Sequence, residues 1–213
     1  MAAVADLCSS FCLDNGAFSL WKSGTPVDWD DYVRWVKEWD KHPAFDFALI
    51  PDVIGGTEKQ NKELIVRYRS AFKNAVPVFH LHESDEYAAI LAGLFGRIAI
   101  GSSGEYPTPG TDSWWVRMGR LMEVLCDGEG KPKCKLHGLR MMNPKIFTRL
   151  PLSSADSTNA TVNSGALKRF GSYPAPSRAL RAEVIAARIE HHQSAPLWQK
   201  HYNEDPLVVE YET

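Results

Sequence analysis

The sequence predicts an α/β protein of the parallel type, a truncated (β/α)8-like TIM barrel with about six parallel strands. Three observations predict it. Short apolar runs rich in β-formers alternate with longer runs of helical period, the pattern of repeated βαβ units. Polar residues gather just after the strands, at Asp14-Asn15-Gly16, Asp52, His82-Glu83, Gly101-Ser102-Ser103-Gly104-Glu105 and Asp156-Ser157-Thr158. A barrel active site needs such a ring of strand-end groups. Third, no G-x-G-x-x-G follows the first strand, where a dinucleotide-binding doubly wound sheet would carry it.

The strands are predicted over 10–13, 47–50, 76–81, 97–100, 135–141 and 151–155, short runs dominated by Val, Ile, Phe and Leu. The helix over 29–41 follows Asp28 as N-cap and stops before Pro43, with Tyr32, Val33, Val36 and Trp39 at helical spacing. The helix over 58–73 has Thr57 as cap, and Leu64, Tyr68 and Phe72 recur every fourth residue. Ser84 opens 85–95, which ends at Gly96. A helix over 111–125 follows Pro109-Gly110, Asn143-Pro144 opens a short one, and 176–192 closes the regular part. Residues 106–110 and 127–133 read as loops. Trp114 and Trp115 read as core.

The length, 213 residues, fits a single domain spanning 1–213, with a core at 8–192 and an irregular tail at 193–213. Hydrophobic residues at 44% and charged residues at 23% are ordinary for a globular chain and exclude a disordered one. No run reaches the ~18 apolar residues of a membrane span, so no membrane partner is expected. The N-terminus lacks a basic n-region and meets Asp6 early, which points to the cytoplasm rather than secretion. Cys8, Cys12, Cys126 and Cys134 match neither zinc-pair nor thioredoxin spacing and read as reduced thiols.

Net charge is −2, but it is unevenly distributed. Residues 131–200 hold twelve Lys and Arg against three acids. This basic half reads either as a polyanion-binding surface or as a solvated helical face.

Asp14 and Asp156 stand at the ends of the first and last strands, which a barrel brings to one mouth. Paired carboxylates serve glycosyl chemistry, one as nucleophile and one moving the proton. Equally, Asp14-Asn15-Gly16 is a turn sequence and Asp156-Ser157-Thr158 a helix cap. Asp52 offers an acceptor-only fork that matches the N1–H and amino donors of guanine, or else it is a turn residue before Gly55-Gly56. His80 and His82 share one strand face, a spacing suited to zinc or iron, or to a polar pocket wall. Gly101 and Ser102, leading to Glu105, leave room for a planar ligand, or form a plain loop. His137-Gly138 places a glycine inside a strand, where backbone or ligand approaches closely.

Taken in order, Asp14-Asn15-Gly16-Ala17-Phe18, Pro51-Asp52, Phe79-His80-Leu81-His82, Ile98-Ala99-Ile100-Gly101-Ser102, Leu136-His137-Gly138-Leu139 and Ala155-Asp156-Ser157-Thr158 carry a resemblance. The chain resembles the tRNA-guanine transglycosylase superfamily from about residue 11 to 163. It is most similar to the branch that inserts 7-deazaguanines into DNA, the DpdA-type enzymes of phages and bacteria. The resemblance implies a (β/α)8 barrel and base exchange at a nucleoside C1′, with no cofactor. It implies Asp156 as nucleophile and Asp14 as the group that handles the proton. Asp52, His80, Gly101, Ser102, Glu105 and His137 would contact the base. The partners implied are DNA and a free guanine or 7-deazaguanine base, in the host cytoplasm if the chain is phage-encoded.

Three features depart from the family. The Asp-Asn-Gly-Ala-Phe strand is normally the third of the barrel, so two strands are expected to be missing here. The C-x-C-x2-C zinc site of the tRNA enzymes is absent, which implies no metal, and so is their extended tail. Both of these point to DNA rather than tRNA. Two metal-dependent or non-enzymatic alternatives stand beside this reading: a hydrolase using His80, His82, His137 and Asp156, and a base-binding module that needs a partner. A six-stranded barrel leaves two open edges. The tail, including the apolar run 207–211, or a homodimer or partner subunit is expected to cover them.

Overall fold

A computed structural model of the chain describes residues 8–172 and 174–200. The apolar run at 207–211 lies outside the described residues. The chain divides into two compact units between Glu105 and Tyr106.

In the first unit, β1 (Phe11–Leu13) leads through α1 (Ala17–Ser23) and α2 (Trp29–Trp39) to β2 (Phe45–Leu49). There follow α3 (Glu58–Tyr68), β3 (Ala75–Val76), β4 (Val78–His80), α4 (Asp85–Leu94) and β5 (Arg97–Gly101). All the pairings are parallel: β1 with β2, β2 with β3, and β4 with β5. The spatial order follows the sequence order.

The strand predicted over 76–81 is divided at Pro77, and the reason is chemical. Proline has no N–H to give to a ladder. The Val76 carbonyl accepts from Ile50 at 2.8 Å, whereas the next carbonyl, Pro77, accepts from Ala99 at 2.9 Å. The chain thus changes partner from β2 to β5 within one residue. Seven strand segments therefore occupy the six predicted places.

Strand β2 and its continuation bury Phe45, Phe47, Ala48, Leu49 and Ile50, and β5 buries Ile98, Ala99 and Ile100. Such continuous burial is characteristic of a parallel sheet covered on both faces. The exception in β2 is Asp46, which pairs with Arg97 at 2.7 Å. Helix α2 contributes Val33 and Val36, and α3 contributes Asn61, Ile65 and Tyr68. Asp28, Thr57 and Ser84 cap α2, α3 and α4 as predicted, and Thr57 closes a full capping box with Gln60. Helix α1 was not predicted. It starts at Gly16 in the left-handed conformation with no side-chain cap, and it buries Ala17 alone. Its one readable signal is Gly24, left-handed at the C-cap, with no buried stripe before it.

The second unit holds α5 (Asp112–Leu125), β6 (Lys135–Gly138), α6 (Pro144–Phe147) and β7 (Ser154–Ala155). These are followed by α7 (Asn159–Asn163), a 3-10 turn (Leu167–Phe170) and α8 (Arg178–Glu190). Strands β6 and β7 are parallel and shorter than predicted. Arg140 turns the chain at φ 60° after β6, and Pro151, which has no N–H to give, stays outside β7. Trp114, Met118, Leu121, Met122 and Leu125 of α5 form the core with Leu136, Met141 and Leu150. A buried side chain of this size contributes ~1.5–3 kcal/mol. The described part of the tail packs in this unit, with Trp198 buried and its N–H on the Gly130 carbonyl at 2.8 Å.

No disulfide joins Cys8, Cys12, Cys126 or Cys134. No helix among the described residues is long and apolar enough to cross a membrane.

Candidate functional site

The strand ends of the first unit hold a connected polar cluster. Asn15, just after β1, folds back on itself: its Oδ1 accepts from the Ala17 N–H at 2.9 Å, which launches α1. Its Nδ2 then donates to the Ile50 carbonyl at 2.9 Å and to Asp52 Oδ1 at 2.6 Å. Asp52 is therefore anchored to the strand before it. Helix α3 is capped by Thr57, so Asp52 does not serve as its cap.

The other Asp52 oxygen faces His80. Asp52 Oδ2 lies 2.9 Å from His80 Nε2, and the two side chains are 6% and 1% exposed. The contact is at ion-pair distance, but it does not make an aligned hydrogen bond, so its attraction is chiefly that of charge. His80 Nδ1 has no hydrogen-bond partner among the described residues. It abuts Gly101, its register partner on β5, where a Cβ would stand 3.4 Å from that nitrogen. The His80 pKa is raised. Burial works against the charged ring, but the hydrogen-bonding capacity and charge of Asp52, with the charge of Glu83, outweigh it.

A second pair braces this arrangement. Glu83 is buried; its Oε2 accepts from the His80 N–H at 2.8 Å and its Oε1 from Asn61 Nδ2 at 2.9 Å. Asn61 Oδ1 accepts from the Val53 N–H at 2.8 Å. The backbone beside Asp52 is thus tied to the backbone of His80 through two side chains. Burial raises the Glu83 pKa, and these donors together with the His80 and His82 charges only partly offset it.

His82 lies in the turn after β4, not on the strand expected to carry it with His80, and its ring stacks on His80 with centroids 5.7 Å apart. Its Nε2 lies 2.8 Å from the Gly56 carbonyl and its Nδ1 2.8 Å from Ser103 Oγ. A carbonyl only accepts, so Nε2 carries the proton and Nδ1 accepts from the serine hydroxyl in the neutral ring. Both nitrogens are thereby engaged. Among the described residues no group of three or more His, Cys, Asp or Glu could hold a metal ion. Gly104 sits at φ 59°, and a Cβ there would stand 2.7 Å from the His82 Cβ. The 101–105 segment is thus shaped by His82. Ser102 is half-buried and Glu105 exposed.

Asp14 is exposed at the end of β1. Its charge and that of Asp52 both act on Tyr32, whose hydroxyl donates to the Leu49 carbonyl at 2.8 Å. Burial first, and then these two charges, push the Tyr32 pKa up. Asp14, Asn15, Tyr32, Asp52 and His80 thus belong to one electrostatic neighbourhood.

In the second unit, Asp156 follows β7 with its side chain 43% exposed. Its Oδ1 accepts from the Arg140 N–H at 2.8 Å, and its Oδ2 lies 3.1 Å from His137 Nε2. His137 Nδ1 lies 2.8 Å from Ser154 Oγ. Ser157 Oγ takes the Asn159 N–H, so Ser157 rather than Asp156 serves the start of α7. The close approach expected at Gly138 is by side chains of the same unit. A Cβ there would stand 2.8 Å from Leu152 and 2.9 Å from Met141.

The basic half is partly consumed internally. Arg178 and Arg181 bond the Thr161 and Ser164 carbonyls at the end of α7, and Arg181 also takes that of Ala175. Arg149 lies over Trp115 at 4.2 Å, and Lys133 bonds the Val124 carbonyl.

Sequence reading gives no role to Tyr32, Asn61 or Ser154. Asn61 carried a usable signal: it lies on the buried stripe of α3 with Ile65 and Tyr68, where a polar residue needs a partner. No protein-family model, curated protein or solved structure matches the chain. The family resemblance therefore rests on the six motifs alone.

Proposed function

We propose that the chain is a base-exchange transglycosylase that replaces guanine in DNA with a 7-deazaguanine. The observation that carries this reading is the Asp52–His80 pair: a buried carboxylate held by Asn15, beside a buried imidazole with an unpartnered nitrogen at Gly101. A planar base with donors on one edge and acceptors on the other matches such a pair.

The chemistry is a double displacement. An Asp156 oxygen attacks C1′, and the bond to the guanine N9 breaks, its electron pair leaving with the base. Asp14 supplies the proton that the departing base takes up. The incoming 7-deazaguanine gives its N9 proton to the Asp14 carboxylate so formed, attacks C1′ and displaces Asp156. Two inversions retain the anomeric configuration. The target base leaves the stack first, at a cost of a few kcal/mol in duplex DNA.

A (β/α)8-type barrel is part of this proposal. It is supported by parallel strands that neighbour one another in sequence order, since a doubly wound sheet reverses its order at a switch point. The metal-dependent alternative gains no support from His82, whose two nitrogens are engaged. The test is exchange of labelled guanine or 7-deazaguanine into DNA and into tRNA by the purified chain. Label is expected in DNA with configuration retained. Label in tRNA alone would overturn the substrate, and binding of the base without any exchange would make the chain a base-binding module.

A further inference from the structure

We propose that His137 is a positioning residue that holds Asp156 in the one imidazole tautomer the carboxylate admits, with the Ser154 hydroxyl donating to the other ring nitrogen. The inference draws its catalytic consequence from the proposed function, but its geometry stands without it.

The backbone sets the arrangement. His137 on β6 is the register partner of Ser154 on β7. Ser154 and Asp156 are two residues apart along an extended run, so their side chains leave the same face. The next rung continues the ladder, with the Asp156 N–H on the Gly138 carbonyl at 3.1 Å. One imidazole therefore reaches a hydroxyl with one nitrogen, at 2.8 Å, and a carboxylate with the other, at 3.1 Å. The ring itself is 3% exposed.

Chemistry then fixes the protons. An ionised carboxylate only accepts, so Nε2 must carry the hydrogen. In the neutral ring Nδ1 becomes an acceptor, and Ser154 Oγ–H donates to it. The second Asp156 oxygen is held from the other side by the Arg140 N–H, at 2.8 Å. Arg140 adopts φ 60° there, a left-handed backbone that is strained for a non-glycine residue. Two donors on opposite oxygens fix the plane of the carboxylate. A nucleophile so held meets its electrophile without an orientational search.

The same three side chains could be read as a hydrolytic triad with Ser154 as nucleophile. In that arrangement the carboxylate is buried and the serine stands exposed on a tight turn. Here the Asp156 side chain is 43% exposed, and Ser154 begins a paired strand rather than standing on a tight turn. Both departures favour the carboxylate as the working group.

Nitrogen-15 NMR of the histidine-labelled full chain tests the tautomer without any substrate. The expected signature for the neutral His137 ring is Nε2 protonated and Nδ1 bare, kept in Ser154→Ala and mixed in Asp156→Asn, whose amide can either accept or donate. A neutral ring protonated at Nδ1 in the unaltered protein would overturn the proposal. Exchange kinetics give the second arm. A glutamine amide can replace the Nε2–H donor, whereas leucine cannot. His137→Leu should lower kcat by about 100-fold with KM for the free base little changed, and His137→Gln should recover to within about 10-fold. Equal losses in the two variants, or labelling of Ser154 by a fluorophosphonate, would overturn it. If the unaltered chain shows no exchange at all, the base-exchange reading fails, and the tautomer alone decides the positioning claim.

Discussion

Asp52 and His80 stand 2.9 Å apart, carboxylate to imidazole, with almost no solvent contact. Burial alone would hold the ring neutral, and it is the Asp52 carboxylate, aided by Glu83, that reverses the outcome. Asp52→Asn should therefore drop the His80 pKa below the ordinary histidine value, because burial then dominates. A proton-NMR titration reads this directly, and an unchanged midpoint would show that the pair is not coupled.

The same shift predicts how stability depends on pH. A His80 pKa raised in the folded state means that the folded protein binds this proton more tightly than the unfolded chain does. Its contribution is full below the unfolded value of about 6.5 and is lost as pH rises through the higher folded value. Urea denaturation from about pH 6 to pH 9 should show stability falling in the unaltered protein, with the slope lost or reversed in Asp52→Asn. Glu83, also raised, gives a fall of the same sign beginning nearer the ordinary carboxylate range.

Asn61 links the Val53 N–H to Glu83 across two strand ends. Asn61→Ala removes a donor from a buried carboxylate and an acceptor from a backbone N–H. The expected cost is about 1–3 kcal/mol in denaturant, with the Glu83 pKa driven further up. A change within about 0.5 kcal/mol would mean that the bridge is solvated.

Gly104 carries a left-handed backbone against His82. Gly104→Ala should cost about 1–3 kcal/mol and displace the His82 ring from Ser103. A change in the His82 resonances, against an unchanged His137, localises the effect.

Arginines 178 and 181 bond carbonyls of their own unit. Arg181→Ala is expected to cost about 1 kcal/mol of stability while leaving the salt dependence of DNA binding unchanged. Exposed Lys131 and Lys145 are the contrasting sites, where alanine should flatten the slope of log affinity against log salt by about one unit each if DNA lies there.

Local chemistry was legible in the sequence and distant pairing was not. The caps at Asp28, Thr57, Ser84 and Asn143 are visible because each needs only its own next three residues, whereas Thr111, read as the first helical residue, is itself the cap of α5. Pro77 was visible too, yet the division of its strand depends on Ile50 and Ala99, whose register no local pattern states. Asp52 and His80 were nominated separately. That they face each other, and that Asn15, Asn61 and Glu83 brace them, follows from strand order. Helix α1 left its C-cap Gly24 but no periodic stripe, and only pairing to β6 gives Ser154 its neighbour.

The central claim is that Asp156 forms the bond to C1′. Incorporation of labelled 7-deazaguanine into DNA should be abolished by Asp156→Asn, since an amide oxygen is too weak a nucleophile, while the denaturation midpoint stays near that of the unaltered protein. Undiminished incorporation by a folded Asp156→Asn protein would contradict the account.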